Sequence, residues 1–238
     1  MKNDSNHYWP VYKNLEEETL QLSKYIQFTD DQLGVYSMHI ADLLVRCAME
    51  IEALSKELYW ENDEVKVYGK DAKERDLFFD TDCIAFLNGL WGICQKELLV
   101  SSTKFYFEKD ENRKLCPLHK ADKRSGAKWN KAYQAVKHDR KNSFKQGKIE
   151  HLISAFGALF ILNIYYIDEK IELGATITPN KMFDNRMGSE IFAVTYMDAT
   201  IDIQIGESMT DSVISDKVRE KLKSSICTIK FTDLAWKT

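Results

Sequence analysis

Hydrophobic positions recur at three- and four-residue steps through most of this chain, and at two-residue steps only near its end. The longest run is Tyr36, Ile40, Leu43, Leu44, Cys47, Ile51, Leu54 and Leu58. It predicts an amphipathic helix of about eight turns, ending near Asn62. Its start is predicted at Thr29, with Gln32 reaching back as a capping box and Phe28 packing on Leu33 as a staple. Asp30 and Asp31 suit the positive end of that helix. A second helix is predicted over 82–100, with Ile84, Leu87, Leu90, Trp91, Cys94 and Leu98 on one side. A third is expected over 127–142 and a very apolar fourth over 149–171. An opening helix is expected over 11–26, and residues 62–80 and 101–124 read as charged connectors.

The period changes after Gly174. Residues 191–196 form a β-type run, and Ile201, Ile203 and Ile205 alternate with Asp202 and Gln204. A polar stretch over 211–224 precedes a last predicted strand over 226–232. The expected fold class is therefore mainly α: an up-and-down helical bundle over 1–173, with a small α+β C-terminal appendage over 174–238.

Composition narrows the class. The 238 residues are 44% hydrophobic and 29% charged, with only 10 Gly and 3 Pro, which excludes linker-like and collagen-like chains. Five cysteines lack disulfide-framework spacing, and the polar, aromatic start lacks a signal-peptide pattern, so a reducing cytoplasm is expected. The apolar run over 152–167 is shorter than the roughly 20 residues of a spanning helix and contains Ser154 and Asn163. It reads as the most buried helix of a soluble bundle, and no membrane partner is expected.

The net charge of −4 is unevenly distributed. From His119 to Lys148 stand Lys120, Lys123, Arg124, Lys128, Lys131, Lys137, Arg140, Lys141, Lys145 and Lys148, against only Asp122 and Asp139. That stretch carries +8 and the remainder −12. Such a concentration is either the footprint of a polyanion contact or a solvated basic face. Within it, helical spacing puts Trp129, Tyr133, Val136 and Arg140 on one face, with Lys128, Lys131, Lys141 and Lys145 as candidate nucleic-acid contacts. His138, between Lys137 and Arg140, has the residue types for acid–base work on a phosphate ester: imidazole moves a proton while the cations stabilise charge. On the long helix, Arg46 and Glu50 either pair with each other or reach behind His138. Cys116 and His119 have no second pair at zinc spacing, so no metal site is expected. Glycine-rich phosphate loops and serine-hydrolase or zinc-protease motifs are absent.

Two features together resemble a known family over residues 28–172. One is the helix segment Arg46-Cys47-Ala48-Met49-Glu50-Ile51-Glu52-Ala53-Leu54-Ser55-Lys56-Glu57-Leu58-Tyr59. The other is Tyr133-Gln134-x-x-Lys137-His138 followed by an apolar helix. They look like the HEPN superfamily of prokaryotic helical domains. The resemblance implies a dimeric helical bundle in a toxin, antiviral defence or stress system, acting on RNA as a metal-independent endoribonuclease without cofactor. Another protein of such a system is an implied partner. Family members that cleave carry an Arg, four to six residues, then His. Here His138 matches the histidine, but the preceding positions at that spacing are Tyr133, Ala132 and Lys131. Lys131 does not reproduce the bidentate grip of Arg, and Tyr133 becomes a candidate supporting residue. Two readings stand: a ribonuclease using His138, Lys137 and Arg140, or a non-catalytic dimeric scaffold that binds nucleic acid or protein.

Overall fold

The structure, a computed structural model, describes residues 6–62, 77–177, 182–185 and 187–195. The chain divides into two units, 1–196 and 197–238. The second lies outside the described residues, as do the elements predicted at 201–205, 211–224 and 226–232. Along the first unit run α1 (Tyr8–Leu22), β1 (Phe28–Thr29), α2 (Met38–Asn62), α3 (Ala85–Trp91), β2 (Leu98–Val100), β3 (Phe105–Tyr106), α4 (Asp110–Arg113), β4 (Lys114–Leu115), α5 (Lys128–His138), α6 (Arg140–Ser143), α7 (Ile149–Ile167) and β5 (Phe192–Val194). The architecture is mainly helical with a small β-sheet part.

The most apolar segment becomes the central helix. α7 packs most extensively on α2 and also meets α1 and α5. Leu152, Phe156, Phe160 and Ile164 are fully buried on α7, as are Leu43, Leu44, Ile51 and Leu54 on α2. α7 is long and apolar enough to cross a membrane, yet 83% of its most apolar window is buried inside the protein. It ends at Ile167, short of the predicted 171, because Asp168 turns extended and its carboxylate accepts the Lys170 N–H at 2.9 Å. α1 begins earlier than predicted. The Asn6 side chain accepts the Tyr8 and Trp9 N–H groups at 3.1 and 3.0 Å, and Pro10 suits the first turn.

The start of α2 differs from the predicted capping box. Thr29 caps no helix with its side chain. Asp30 turns instead towards residues 108–112, accepting from the Glu108 and Lys109 N–H groups and from the Asn112 amide at 2.6 Å. That amide and those backbone donors hold the Asp30 carboxyl below its ordinary value. Phe28 stacks on Phe105 at 4.4 Å across the parallel β1–β3 pair, where a staple to Leu33 was expected. The working cap is Ser37, whose Oγ accepts the Ile40 N–H at 3.2 Å while its carbonyl accepts the Ala41 N–H.

The predicted helix over 82–100 breaks into pieces. A π-helical turn, Phe79–Ile84, runs into α3, and Gly92 ends it in the left-handed region at φ +62°. Asn88 seals that end by accepting the Gly92 N–H on its carbonyl and the Cys94 N–H on its side chain. Leu98, Leu99 and Val100 are thereby released as the middle strand of an antiparallel sheet ordered β4-β2-β5. β5 arises from the predicted run at 191–196, with Leu98 opposite Val194 and Val100 opposite Phe192. A buried carboxylate delivers it. Glu16 of α1 accepts from Tyr12 Oη at 3.1 Å, Ser189 Oγ at 2.6 Å and the Glu190 N–H at 2.8 Å, and pairs with Lys13. Those donors replace the water that a buried charge gives up. Burial, with the Glu16 charge beside it, pushes the Tyr12 hydroxyl well above its ordinary value.

The two candidate caps make opposite predictions. Ser37→Ala should lower unfolding stability in urea by about 1 kcal/mol, and Thr29→Ala by no more than a few tenths. The reverse order would restore the capping box at Thr29.

Candidate nucleic-acid interface

α5 alternates its faces sharply. Trp129, Asn130, Ala132, Tyr133 and Val136 are buried, whereas Lys128, Lys131, Lys137 and His138 are exposed. The inner face is held by directed bonds as well as packing. Trp129 is 1% exposed and its Nε1–H donates to the Pro117 carbonyl at 2.8 Å. Asn130 donates to the buried Asp80 carboxylate at 3.4 Å, and Gln134 donates back to Asn130. Asp80, on the π-helical turn, also accepts the Thr81 and Ser125 N–H groups at 2.8 and 2.9 Å. One carboxylate therefore joins the π-helical turn, the loop before α5 and α5 itself.

That loop, 116–127, is a chain of tight turns. His119, Ala121, Lys123 and Gly126 donate in succession to the carbonyls of Cys116, Leu118, Lys120 and Lys123. Lys120 and Ser125 take positive φ, at 60° and 46°. Gly126 is required where it stands, since a Cβ there would lie 2.1 Å from the Lys120 carbonyl oxygen. Leu118, Ala121 and Ala127 point inward, and His119, Lys120, Lys123 and Arg124 point out. Asn88 of α3 donates to Asp122 at 3.4 Å, a second brace on the loop.

The predicted helix over 127–142 breaks at Asp139 (φ −144°, ψ 71°). Its carboxylate accepts the Asn142 N–H at 3.2 Å and the Asn142 amide at 2.8 Å, starting α6 afresh. Arg140 accordingly leaves the face of Trp129, Tyr133 and Val136 and stands exposed with Lys141.

The result is an exposed cationic strip along loop 116–127, α5 and α6. Lys123 pairs with Asp122 at 3.4 Å, and Lys128 and Lys148 converge on Glu150 at 3.7 and 2.8 Å. Burial pushes the Glu150 carboxyl up, but Lys148, His151 and Lys128 together hold the group low. Lys120, Arg124, Lys131, Arg140, Lys141 and Lys145 form no ion pair among the described residues. Lys137 places its ammonium 5.3 Å above the buried Tyr133 ring, a cation–π contact that leaves it at the surface.

Other predicted partners are placed differently. His138 ends α5 exposed, its imidazole without a hydrogen bond to any described group. Arg46 pairs neither with Glu50 nor behind His138: its guanidinium meets Glu18 of α1 at 2.6 Å and holds that carboxyl low. Burial pushes the Glu50 carboxyl up. Cys116 and His119 share a backbone turn at 3.0 Å. A cleft of about 390 Å³ along α1, lined by Lys13, Glu17, Lys24 and Lys104 among others, shares no residue with the strip.

At the strip, His151 and Phe144 were not singled out in the sequence, and Tyr36, predicted on the apolar face of the long helix, lies before α2 and is exposed. His151 is buried, with Nδ1 donating to the Gln146 carbonyl at 2.8 Å, since a carbonyl only accepts. Burial pushes its imidazole below the ordinary value, with Lys148 and Lys128 adding to the effect. Tyr36 and Phe144 meet edge to face beside Lys148 and Lys145. The available signal was an aromatic, Phe144, interleaved between Lys141 and Lys145.

No family model, curated protein or solved structure matches the chain.

Two predictions follow from the bracing. Asp80→Ala strands the Asn130 amide and the Ser125 N–H, so it should cost about 2–3 kcal/mol in denaturant unfolding. A cost below about 0.5 kcal/mol would mean Asp80 braces nothing. For His151, folding favours the neutral imidazole, so its stabilisation is present above about pH 6.5 and is lost as pH falls through the lower folded value. The stability of wild type relative to His151→Gln should therefore shrink between pH 7 and 5. A pH-independent difference would contradict this.

Proposed function

We propose that this chain binds RNA, laying its cationic strip along the phosphate backbone. The observation that carries the reading is the group of six exposed cations, Lys120, Arg124, Lys131, Arg140, Lys141 and Lys145, without ion pairs among the described residues, on a braced surface. Directed bonds at Trp129, Asp80 and Asp122 fix the backbone beneath these cations. A polyanion site gains from them, because cations held in place lose less freedom on binding. The HEPN-like bundle, in a homodimer serving a defence or stress system, belongs to the same proposal. α2, α5 and α7 supply the long helix, the motif-bearing helix and the apolar helix on which that resemblance rests.

A second reading is metal-independent cleavage, favoured by the exposure of His138 between Lys137 and Arg140. In it, His138 takes the proton of a 2′-hydroxyl and the 2′-oxygen attacks the adjacent phosphorus. The 5′-oxygen leaves with a proton, and a 2′,3′-cyclic phosphate remains. Lys137 and Arg140 then stabilise the phosphorane charge. Nothing orients His138 among the described residues, so a second copy would have to supply that contact, and the non-catalytic reading leads.

RNA affinity should fall steeply with salt, and reversing Lys131, Arg140 and Lys141 to Glu should lower the log–log slope by at least about 2, from roughly 0.7 per phosphate contact. Salt-independent binding, or an unchanged slope, would remove the strip from the interface. In EDTA, cleavage by wild type but not by His138→Ala would promote the second reading; equal cleavage by both, or none by either, would end it.

A further inference from the structure

Tyr36 is 42% exposed and, unlike the more exposed Tyr25 and Tyr106, sits at the edge of the cationic strip. Its ring and that of Phe144 meet with centroids 5.7 Å apart and planes at 86°. The backbone fixes the pair. Tyr36 bridges to Lys148, the Ile149 N–H donates to Val35 at 3.0 Å, and the Glu150 N–H donates to Leu33 at 3.1 Å. Phe144 continues the helical path of α6 at φ −55°, ψ −35°. Arg140 and Lys141, four and three residues before it, therefore lie on the adjoining face, and Lys145 follows it. Asp139, the acid nearest in the chain, is engaged by Asn142.

An edge-to-face pair is not a stack, so at least one face of the Tyr36 ring is clear of Phe144. An exposed aromatic ring bordered by cations offers a nucleobase a surface for stacking and its phosphates a charge to meet. Within a duplex both faces of a base are already stacked on its neighbours, so only an unpaired nucleotide can use such a ring.

We propose that Tyr36 is a stacking platform for an unpaired base of single-stranded RNA, with Phe144 buttressing the ring and Arg140 and Lys141 holding the flanking phosphates. This rests on the RNA-binding reading and gives it a substrate class. The strip alone attracts any polyanion; the ring selects unpaired RNA.

The test is fluorescence-anisotropy binding of the full chain to single-stranded oligoadenylate and to an RNA duplex of equal length. Tyr36→Ala should weaken single-strand binding by roughly tenfold, the usual loss for one stacked base, and leave duplex binding and the single-strand salt slope unchanged. Tyr36→Trp should keep wild-type affinity or exceed it. Tyr36→Leu, which retains apolar bulk against Phe144 but has no ring face, should behave as Tyr36→Ala, separating stacking from packing. Single-strand affinity unchanged in Tyr36→Ala and Tyr36→Leu overturns the platform while salt-dependent wild-type binding leaves the RNA-binding reading standing. Equal losses on single strand and duplex also overturn it, as does preference of wild type for duplex. Failure of wild type to bind either RNA overturns both proposals together.

Discussion

A buried indole must donate its N–H to something, and Trp129 gives its own to the Pro117 carbonyl. Because Trp129 stands in the first turn of α5, that single bond sets where the helix begins and which way it is rolled. Asn130, one residue on, then reaches Asp80, and Tyr133 and Val136 follow inward by helical spacing. Every lysine on α5 is left on the outside. Truncating a buried Trp typically costs about 3–5 kcal/mol, far more than the repulsion among solvated cations several ångströms apart. The inner face thus decides the matter, and the clustering of positive charge is tolerated because burial of the ring face requires it.

The rest of the fold supplies the wall against which α5 is rolled. α7 is buried around nearly its whole circumference, with α1, α2 and α5 against it and β2 and β5 near Gly157, where a Cβ would press on Leu98 at 3.0 Å and touch Pro117 and Phe192. Pro117, the residue that accepts from Trp129, therefore also packs on the central helix. Glu16 plays the corresponding role at the other side, collecting Tyr12, Ser189 and the Glu190 N–H so that β5 can close the sheet. In both places a buried polar atom fixes geometry that apolar contact alone leaves loose.

Periodicity made the long helices legible. Burial on α2 follows the predicted series from Ile40 to Leu58, and the predicted apolar run is the central helix. What the pattern did not carry is where helices stop. Thr29-Asp30-Asp31-Gln32 has the residues of a capping box, yet Asp30 is taken by a segment 78 to 82 residues away. The apolar steps of 82–100 continue through Gly92, but its positive φ ends the helix, and Leu98–Val100 then pair with β4 and β5 as a strand. The basic site was legible as charge and its arrangement was not. Asp139 reads as one more helical residue until its side chain is seen capping α6, which moves Arg140 off the face assigned to it. Arg46, four residues from Glu50, found a carboxylate on another helix, a choice that local spacing cannot foresee.

The central proposal is that the braced cationic surface, with Tyr36 at its edge, receives RNA, and that the α1 cleft among the described residues does not. Lysine-reactivity footprinting with and without single-stranded RNA tests it most directly, because exposed lysines occur both on the strip and away from it. The account predicts that Lys120, Lys131, Lys141 and Lys145 lose reactivity when RNA is added, while Lys24 and Lys104, on the cleft along α1, do not. Protection of Lys24 and Lys104 with the strip lysines left reactive would contradict it.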